Sequence, residues 1–395
     1  MQKGPLKMHI YRTLLTAVGI VLTYGVTVLA EEDIKGDDLE ALIHDIFGEP
    51  CSLQNDVIGS CVKYYLCNEN GTVVTDGKAV LESRNMRGTC SNFLDVCCLY
   101  ENMNPSINNN NQITQEKKSC GWRNHKGLGV QPSNLKEDET KIGEFPWMAV
   151  VLRKESSHTK SDTNIRNIYI GGGSIIHPSV VLTAAHVVSG PELFIRAGEW
   201  DTQSNNELYP LQDRHISEIV IHDEFNSRNL FNDIALIFLT KPLELAPNVG
   251  LVCLPAQNVP VQEGVRCIST GWGKDKYGKN SPFRVVMKKV EVPTINNEIC
   301  QSALRSTRLG RFFQLHSSFM CAGGEEDVDT CQGDGGSPLV CPIGNDRYIQ
   351  NGIVAWGISC GLKDTPGAYT NVTNFRSWID NHVIAKGYDP AVYTY

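Results

Sequence analysis

Apolar residues are distributed along this chain in three different ways. From Thr13 to Ala30 they form one nearly continuous run, preceded by Lys3, Lys7 and Arg12 and followed at once by Glu31-Glu32-Asp33. A basic flank, an apolar run and the small residues Val28 and Ala30 predict a signal peptide over residues 1–30, cleaved after Ala30. An uncleaved membrane anchor is the competing reading, because the run is long for a signal core. Beyond Cys120 the pattern changes to short Val/Ile/Leu runs separated by Gly, Pro, Asn and Asp: Ser179–Thr183, Glu218–Ile221, Asp233–Leu239 and Asn351–Trp356. Such runs predict buried strands, and their repetition predicts an all-β barrel or sandwich. Helical spacing occurs only in Asn371–Ala385, where Val372, Phe375, Ile379 and Val383 share a face.

Cysteine usage divides the rest of the chain. Of 14 cysteines, six lie between Cys51 and Cys98, a density that belongs to a small stapled module in an oxidising compartment. The expected organisation is a signal peptide (1–30), an acidic leader (31–50), the cysteine module (51–98), a linker rich in Asn (99–119) and one large domain (120–395). A secreted protein with no membrane span after signal removal follows. The formal charge of −8 argues against a nucleic-acid partner held by a positive field, and 41% hydrophobic residues are ample for a packed core.

Four stretches of the large domain carry a resemblance: GEFPWMAVVL (143–152), LTAAH (182–186), NDIALI (232–237) and DTCQGDGGSPLVC (329–341). In this order, and with Gly271-Trp-Gly, Trp356-Gly and Pro366-Gly-Ala-Tyr-Thr, they resemble the chymotrypsin-type serine proteases over nearly all of residues 120–385. The resemblance implies a double β-barrel with a C-terminal helix. It implies His186 as the base and Asp233 as the residue that orients it, in a triad that also needs a serine nucleophile. The nucleophile motif here reads Gly333-Asp334-Gly335-Gly336-Ser337-Pro338, so Gly335 stands where the family has its serine. Ser337, two positions on, is not expected to substitute, since a misplacement of about 1 Å can cost on the order of 100-fold.

Two further departures agree with that reading. Active relatives begin with a freed Ile-Val-Gly-Gly whose ammonium pairs with the aspartate at position 334; the corresponding stretch, SNLKEDET (133–140), leads to no such sequence. Asp334 is therefore expected to lack a partner. The family's cysteine pair beside the catalytic histidine is also missing, with Gly172 and Val187 in those stretches. By resemblance the remaining pairs are Cys120–Cys253, Cys267–Cys341, Cys300–Cys321 and Cys331–Cys360, each contributing about 2–4 kcal/mol.

Asp329 stands at the floor of the specificity pocket of trypsin-like relatives, with Gly357 and Gly367 as its open walls, so a vestigial pocket for Arg or Lys is expected. Glu199, with Glu207 or Asp213, matches a calcium loop of the family; the competing reading is an exposed acidic loop, and no cofactor is otherwise required. Asn70 and Asn371 head N-glycosylation sequons, although Asn371 is also placed to cap the terminal helix.

The spacing Cys51-x9-Cys61-x5-Cys67-x22-Cys90-x6-Cys97-Cys98 resembles the arthropod clip domain. That resemblance implies Cys51–Cys97, Cys61–Cys90 and Cys67–Cys98 among the 15 pairings six cysteines allow. Together the two domains resemble clip-domain serine protease homologues of the masquerade type. The implied function is that of a pseudo-protease adaptor in an extracellular cascade of arthropod immunity, acting on prophenoloxidase activation and melanisation. The implied partners are prophenoloxidase, its activating clip-domain protease and an upstream trypsin-like protease, with self-association after cleavage. The alternatives are an extracellular adhesion or structural protein, and an active trypsin-like protease. Arg84, then Arg87, then Lys118 are the expected cleavage positions, because long polar segments are where nicking concentrates.

Overall fold

The strand-rich stretch beyond Cys120 closes into two six-stranded antiparallel barrels. The structure is a computed structural model. It describes residues 119–129, 131–132, 135–156, 165–203, 209–278 and 281–395, together with the backbone of 50–53, 57–63 and 95–99. The signal peptide, the leader, the linker, Asn70, Arg84, Arg87, Lys118, Glu207 and the sulfur atoms of the cysteine module lie outside these residues.

Within that module, β1 (Pro50–Leu53), β2 (Val57–Lys63) and β3 (Asp95–Leu99) form an antiparallel sheet in which Cys61 stands opposite Cys97. It belongs to a unit separate from that of the barrels.

The first barrel runs β4 (Met148–Ser156), β5 (Ile165–His177), β6 (Val180–Thr183), β9 (Ala235–Leu239), β8 (Gln212–Ile221) and β7 (Leu193–Ala197), with β7 closing on β4. β6 and β9 are buried at every position, as their continuous apolar runs predict. The Glu218–Ile221 run behaves differently from its prediction. It ends β8, where Ile219 and Val220 are only half-buried and Ile221 is exposed, because alternate residues along that strand face solvent.

The second barrel runs β10 (Arg266–Gly271), β11 (Lys288–Ile295), β12 (Phe319–Gly323), β15 (Pro366–Asn371), β14 (Arg347–Trp356) and β13 (Pro338–Gly344). A short helix, α1 (Asn297–Arg305), is capped by the Asn296 side chain and linked to β12 by Cys300–Cys321. The terminal helix α2 (Arg376–Ala385) is preceded by a 3-10 turn over Val372–Phe375, so the helical spacing read from Asn371 begins as the tighter form. Its predicted face, Val372, Phe375, Ile379 and Val383, is buried in the core. Disulfides Cys120–Cys253, Cys267–Cys341 and Cys331–Cys360 join loops and strands of the same domain.

The segment before β4 is held along its length. Thr140 is fully buried and bonds Met287 O through both its amide and its hydroxyl. Glu139 bridges to Lys288, Lys289 N donates to Asp138 O, and Arg284 pairs with Asp138 and Glu139. Glu144, also buried, receives Arg123 and Lys289. Cleavage within this segment would require local unfolding against all of these contacts. Brief trypsin digestion of the native protein should therefore leave the bonds after Lys136 and Lys141 intact, as read by N-terminal sequencing of the fragments. A new terminus at Glu137 or Ile142 would show that the segment opens.

Candidate functional site

His186 follows β6 and Asp233 precedes β9, two neighbouring strands of the first barrel, so their loops end side by side. Asp233 has no exposed surface. Its Oδ1 accepts the His186 amide at 2.9 Å and its Oδ2 meets His186 Nδ1 at 2.6 Å. The Asp233 carbonyl is held from the second barrel by Thr370 Oγ1 at 2.8 Å. This geometry fixes the imidazole orientation and leaves Nε2 as the outward nitrogen.

Gly335 faces that nitrogen. A Cβ built on Gly335 would lie 2.5 Å from His186 Nε2, so the ring occupies part of the space a side chain would need. No described residue accepts the N–H of Gly333 or Gly335, whereas both carbonyls are engaged. Gly335 O accepts Gly172 N at 2.9 Å and Gly333 O accepts Tyr169 Oη at 2.8 Å. Burial, with the nearby Asp334 charge, holds the Tyr169 hydroxyl well above its ordinary pKa, so it stays a donor. Ser337 is fully buried, and its Oγ lies against Gly172 and within reach of Gly271 rather than at His186. The position facing Val187, where the family has its cysteine pair, is Gly171 and not Gly172.

Asp334 departs from the expectation that it has no partner. Its side chain is 2% exposed, and its Oδ2 lies 2.9 Å from the ammonium of Lys288, itself 5% exposed. The Cys331 amide donates to Oδ2 at 2.8 Å and the Gly273 amide to Oδ1 at 2.9 Å. A cation borne by the chain itself thus pairs with the carboxylate for which the resemblance implied one made by cleavage. Nothing in the apolar pattern distinguishes Lys288 from Lys289. The available signal was the buried carboxylate, which demands a cation from somewhere.

Asp329 lies in the loop between β12 and Cys331. Its Oδ2 accepts Gly361 N at 3.1 Å, while its buried Oδ1 has no hydrogen-bond partner. Burial raises its pKa from 3.8 to about 6, against the pull of the Gly361 and Thr330 amides. Gly367 is adjacent, with room for a Cβ no closer than 3.3 Å to its neighbours, and Gly357 opens to free space apart from Ser359 O. An enclosed carboxylate oxygen without a donor, between two glycine walls, suits a cationic side chain.

The remaining candidates are placed as follows. Glu199 is buried and pairs with Arg196, whose guanidinium also holds Asp213 at 2.7 Å. No group of three or more His, Cys, Asp or Glu side chains that could hold a metal occurs among the described residues. Asn371 caps the 3-10 turn by accepting Thr373 N at 3.3 Å, and its Oδ1 also receives the Thr373 hydroxyl at 2.9 Å. No helix among the described residues is long and apolar enough to cross a membrane.

Two barrels with a His–Asp pair at their seam define a trypsin-like fold. Residues 134–379 match the family described as Trypsin, and residues 48–99 match the serine protease clip domain PPAF-2. The chain belongs to the trypsin family, among its clip-domain serine protease homologues. It is 55% identical to phenoloxidase-activating factor 2 of Galleria mellonella over 71% of this chain and 94% of that protein. It is 36% identical to inactive CLIP domain-containing serine protease A8 of Anopheles gambiae, over 84% of this chain and 92% of that protein. Protein masquerade of Drosophila melanogaster is 36% identical over 61% of this chain and 22% of its own length.

Two outcomes follow from the geometry. Gly335→Ser should restore little activity even though Asp334 has its cation, because the new Cβ displaces the His186 ring. The same crowding in Gly335→Ala should cost about 1–3 kcal/mol, measured by urea unfolding. Asp329 supplies a pH signature. Its folded-state pKa lies above the unfolded value, so the fold binds this proton more tightly and wild-type stability falls as pH rises from about 4 through 6. Asp329→Asn should therefore stabilise the unliganded protein by about 1–3 kcal/mol at pH 7, a difference that vanishes near pH 4.

Proposed function

We propose that this protein is a secreted, non-catalytic cofactor that assists phenoloxidase activation, and hence melanisation, in an extracellular protease cascade of arthropod immunity. The observation that carries the reading is Gly335. A paired His186 and Asp233 can accept and hold a proton, but covalent acyl transfer needs an attacking oxygen beside Nε2, and Gly335 supplies none. Ser337 offers no substitute, since its hydroxyl is enclosed away from the histidine. The names of similar proteins, a phenoloxidase-activating factor and several inactive CLIP proteases, agree with this reading.

In this role the protein needs shape and a switch rather than turnover. The hydrogen bonds and ion pairs that hold the segment before β4 favour control elsewhere in the chain, and we place it in the clip module, cut after Arg84, then Arg87, with Lys118 third. The clip disulfides then keep the fragments joined. Its partners are prophenoloxidase, the activating clip-domain protease and the upstream trypsin-like protease that cuts it, with self-association after cleavage. It needs no cofactor. Arg196 beside Glu199 favours a protein counter-ion over calcium at that loop, and the capping role of Asn371 favours Asn70 as the glycosylated sequon.

Purified protein, before and after exposure to its activating protease, should take no label from a fluorophosphonate and should not hydrolyse arginine esters. Added to prophenoloxidase and its activating protease, it should raise phenoloxidase activity. Stoichiometric labelling of Ser337, or no effect in the reconstituted mixture, would overturn the reading.

A further inference from the structure

We propose that Lys288 is a resident counter-ion that keeps the Gly333–Gly336 loop and the Asp329 pocket assembled in the uncleaved chain, so that this protein binds a guanidinium or amidinium group before any proteolysis. The proposal rests on the reading of Asp329 as a pocket for a cationic side chain.

The position of Lys288 is determined by the backbone. It is the first residue of β11, paired with Gly271 across β10 and bridged on its other side to Glu139. Its ammonium also donates to Lys274 O at 2.7 Å. Two glycines make room for the carboxylate it meets: a Cβ on Gly271 would lie 2.5 Å from Asp334 Oδ1, and one on Gly273 would lie 2.5 Å from Asp334 Cγ. The carboxylate therefore has a prepared cavity, a cation and two amide donors, none of which depends on a new chain terminus.

From Asp334 the bonded path continues to the pocket. Its backbone amide donates to Cys331 O, and its carbonyl accepts Ser337 N. Gly336 N and Ser337 O are both bonded to Val354 of β14. Cys331 is joined to Cys360, and the next amide, Gly361 N, holds Asp329 Oδ2. Tyr169 and Gly172 of the first barrel secure the carbonyls of Gly333 and Gly335. Without a cation the buried Asp334 carboxylate would be left uncompensated, and the loop between these anchors would have to move to bring it to water.

The test uses full-length, uncleaved protein, with p-aminobenzamidine fluorescence for the pocket and amide hydrogen exchange of residues 331–336 for the loop. Wild type should bind the probe saturably. Lys288→Met should weaken binding at least tenfold and speed exchange of the loop at least tenfold. Asp329→Asn should abolish binding without speeding exchange, which separates the pocket from the counter-ion. If Lys288→Met does not fold, the Lys288→Met/Asp334→Asn pair, which leaves no unpaired charge, should recover a folded chain. Unchanged binding and exchange in Lys288→Met would overturn the proposal. So would wild-type binding that arises only after cleavage. Faster exchange in Lys288→Met with no binding by wild type would support the counter-ion and overturn the pocket reading.

Discussion

A carboxylate that is almost wholly buried beside the second barrel needs a cation, and in this protein the need is met from within by Lys288. Burying a charge without a partner costs far more than a single hydrogen bond contributes, and removing one partner of a buried pair is strongly destabilising. Asp334 sits at the root of the loop that carries Gly333, Gly335 and Gly336, and it accepts amides from that loop and from Gly273. The buried charge at the root of this loop is therefore matched by a contact that is present as soon as the chain folds.

The paired His186 and Asp233 can be understood in the same terms. Asp233 accepts the His186 amide as well as its ring, and its own carbonyl is bonded by Thr370 from the opposite barrel. Ser174 Oγ donates to Gln350 across the seam at 2.6 Å, beside the Gly172–Gly335 and Tyr169–Gly333 bonds. Each such bond contributes on the order of 1 kcal/mol, and loss of the Asp233 side chain would leave two half-buried donors of His186 unpaired. The histidine and aspartate thus have structural work in this seam whether or not a nucleophile stands beside them.

Asp329 shows the opposite economy. Its Oδ1 has no hydrogen-bond partner and burial raises its pKa, so its ionised form is held at a cost. The disulfide Cys331–Cys360 and the Gly361 amide keep it in place.

Much of this was legible in the residues alone. Continuous apolar runs determined β6 and β9, the spacing of Val372, Phe375, Ile379 and Val383 determined a buried helical face, and ordered motifs placed His186, Asp233 and Asp329 in one family site. Gly335 could be read directly because a missing side chain is a property of the residue itself. Only the tertiary structure decided that Lys288 reaches Asp334 across 46 positions of sequence, that Gly171 rather than Gly172 faces Val187, and that Ser337 is enclosed. Local pattern reports which residues prefer the interior. Which buried charge meets which, and on which side of a strand a lysine emerges, is determined by barrel closure and strand register, and these arise from contacts distant in the chain.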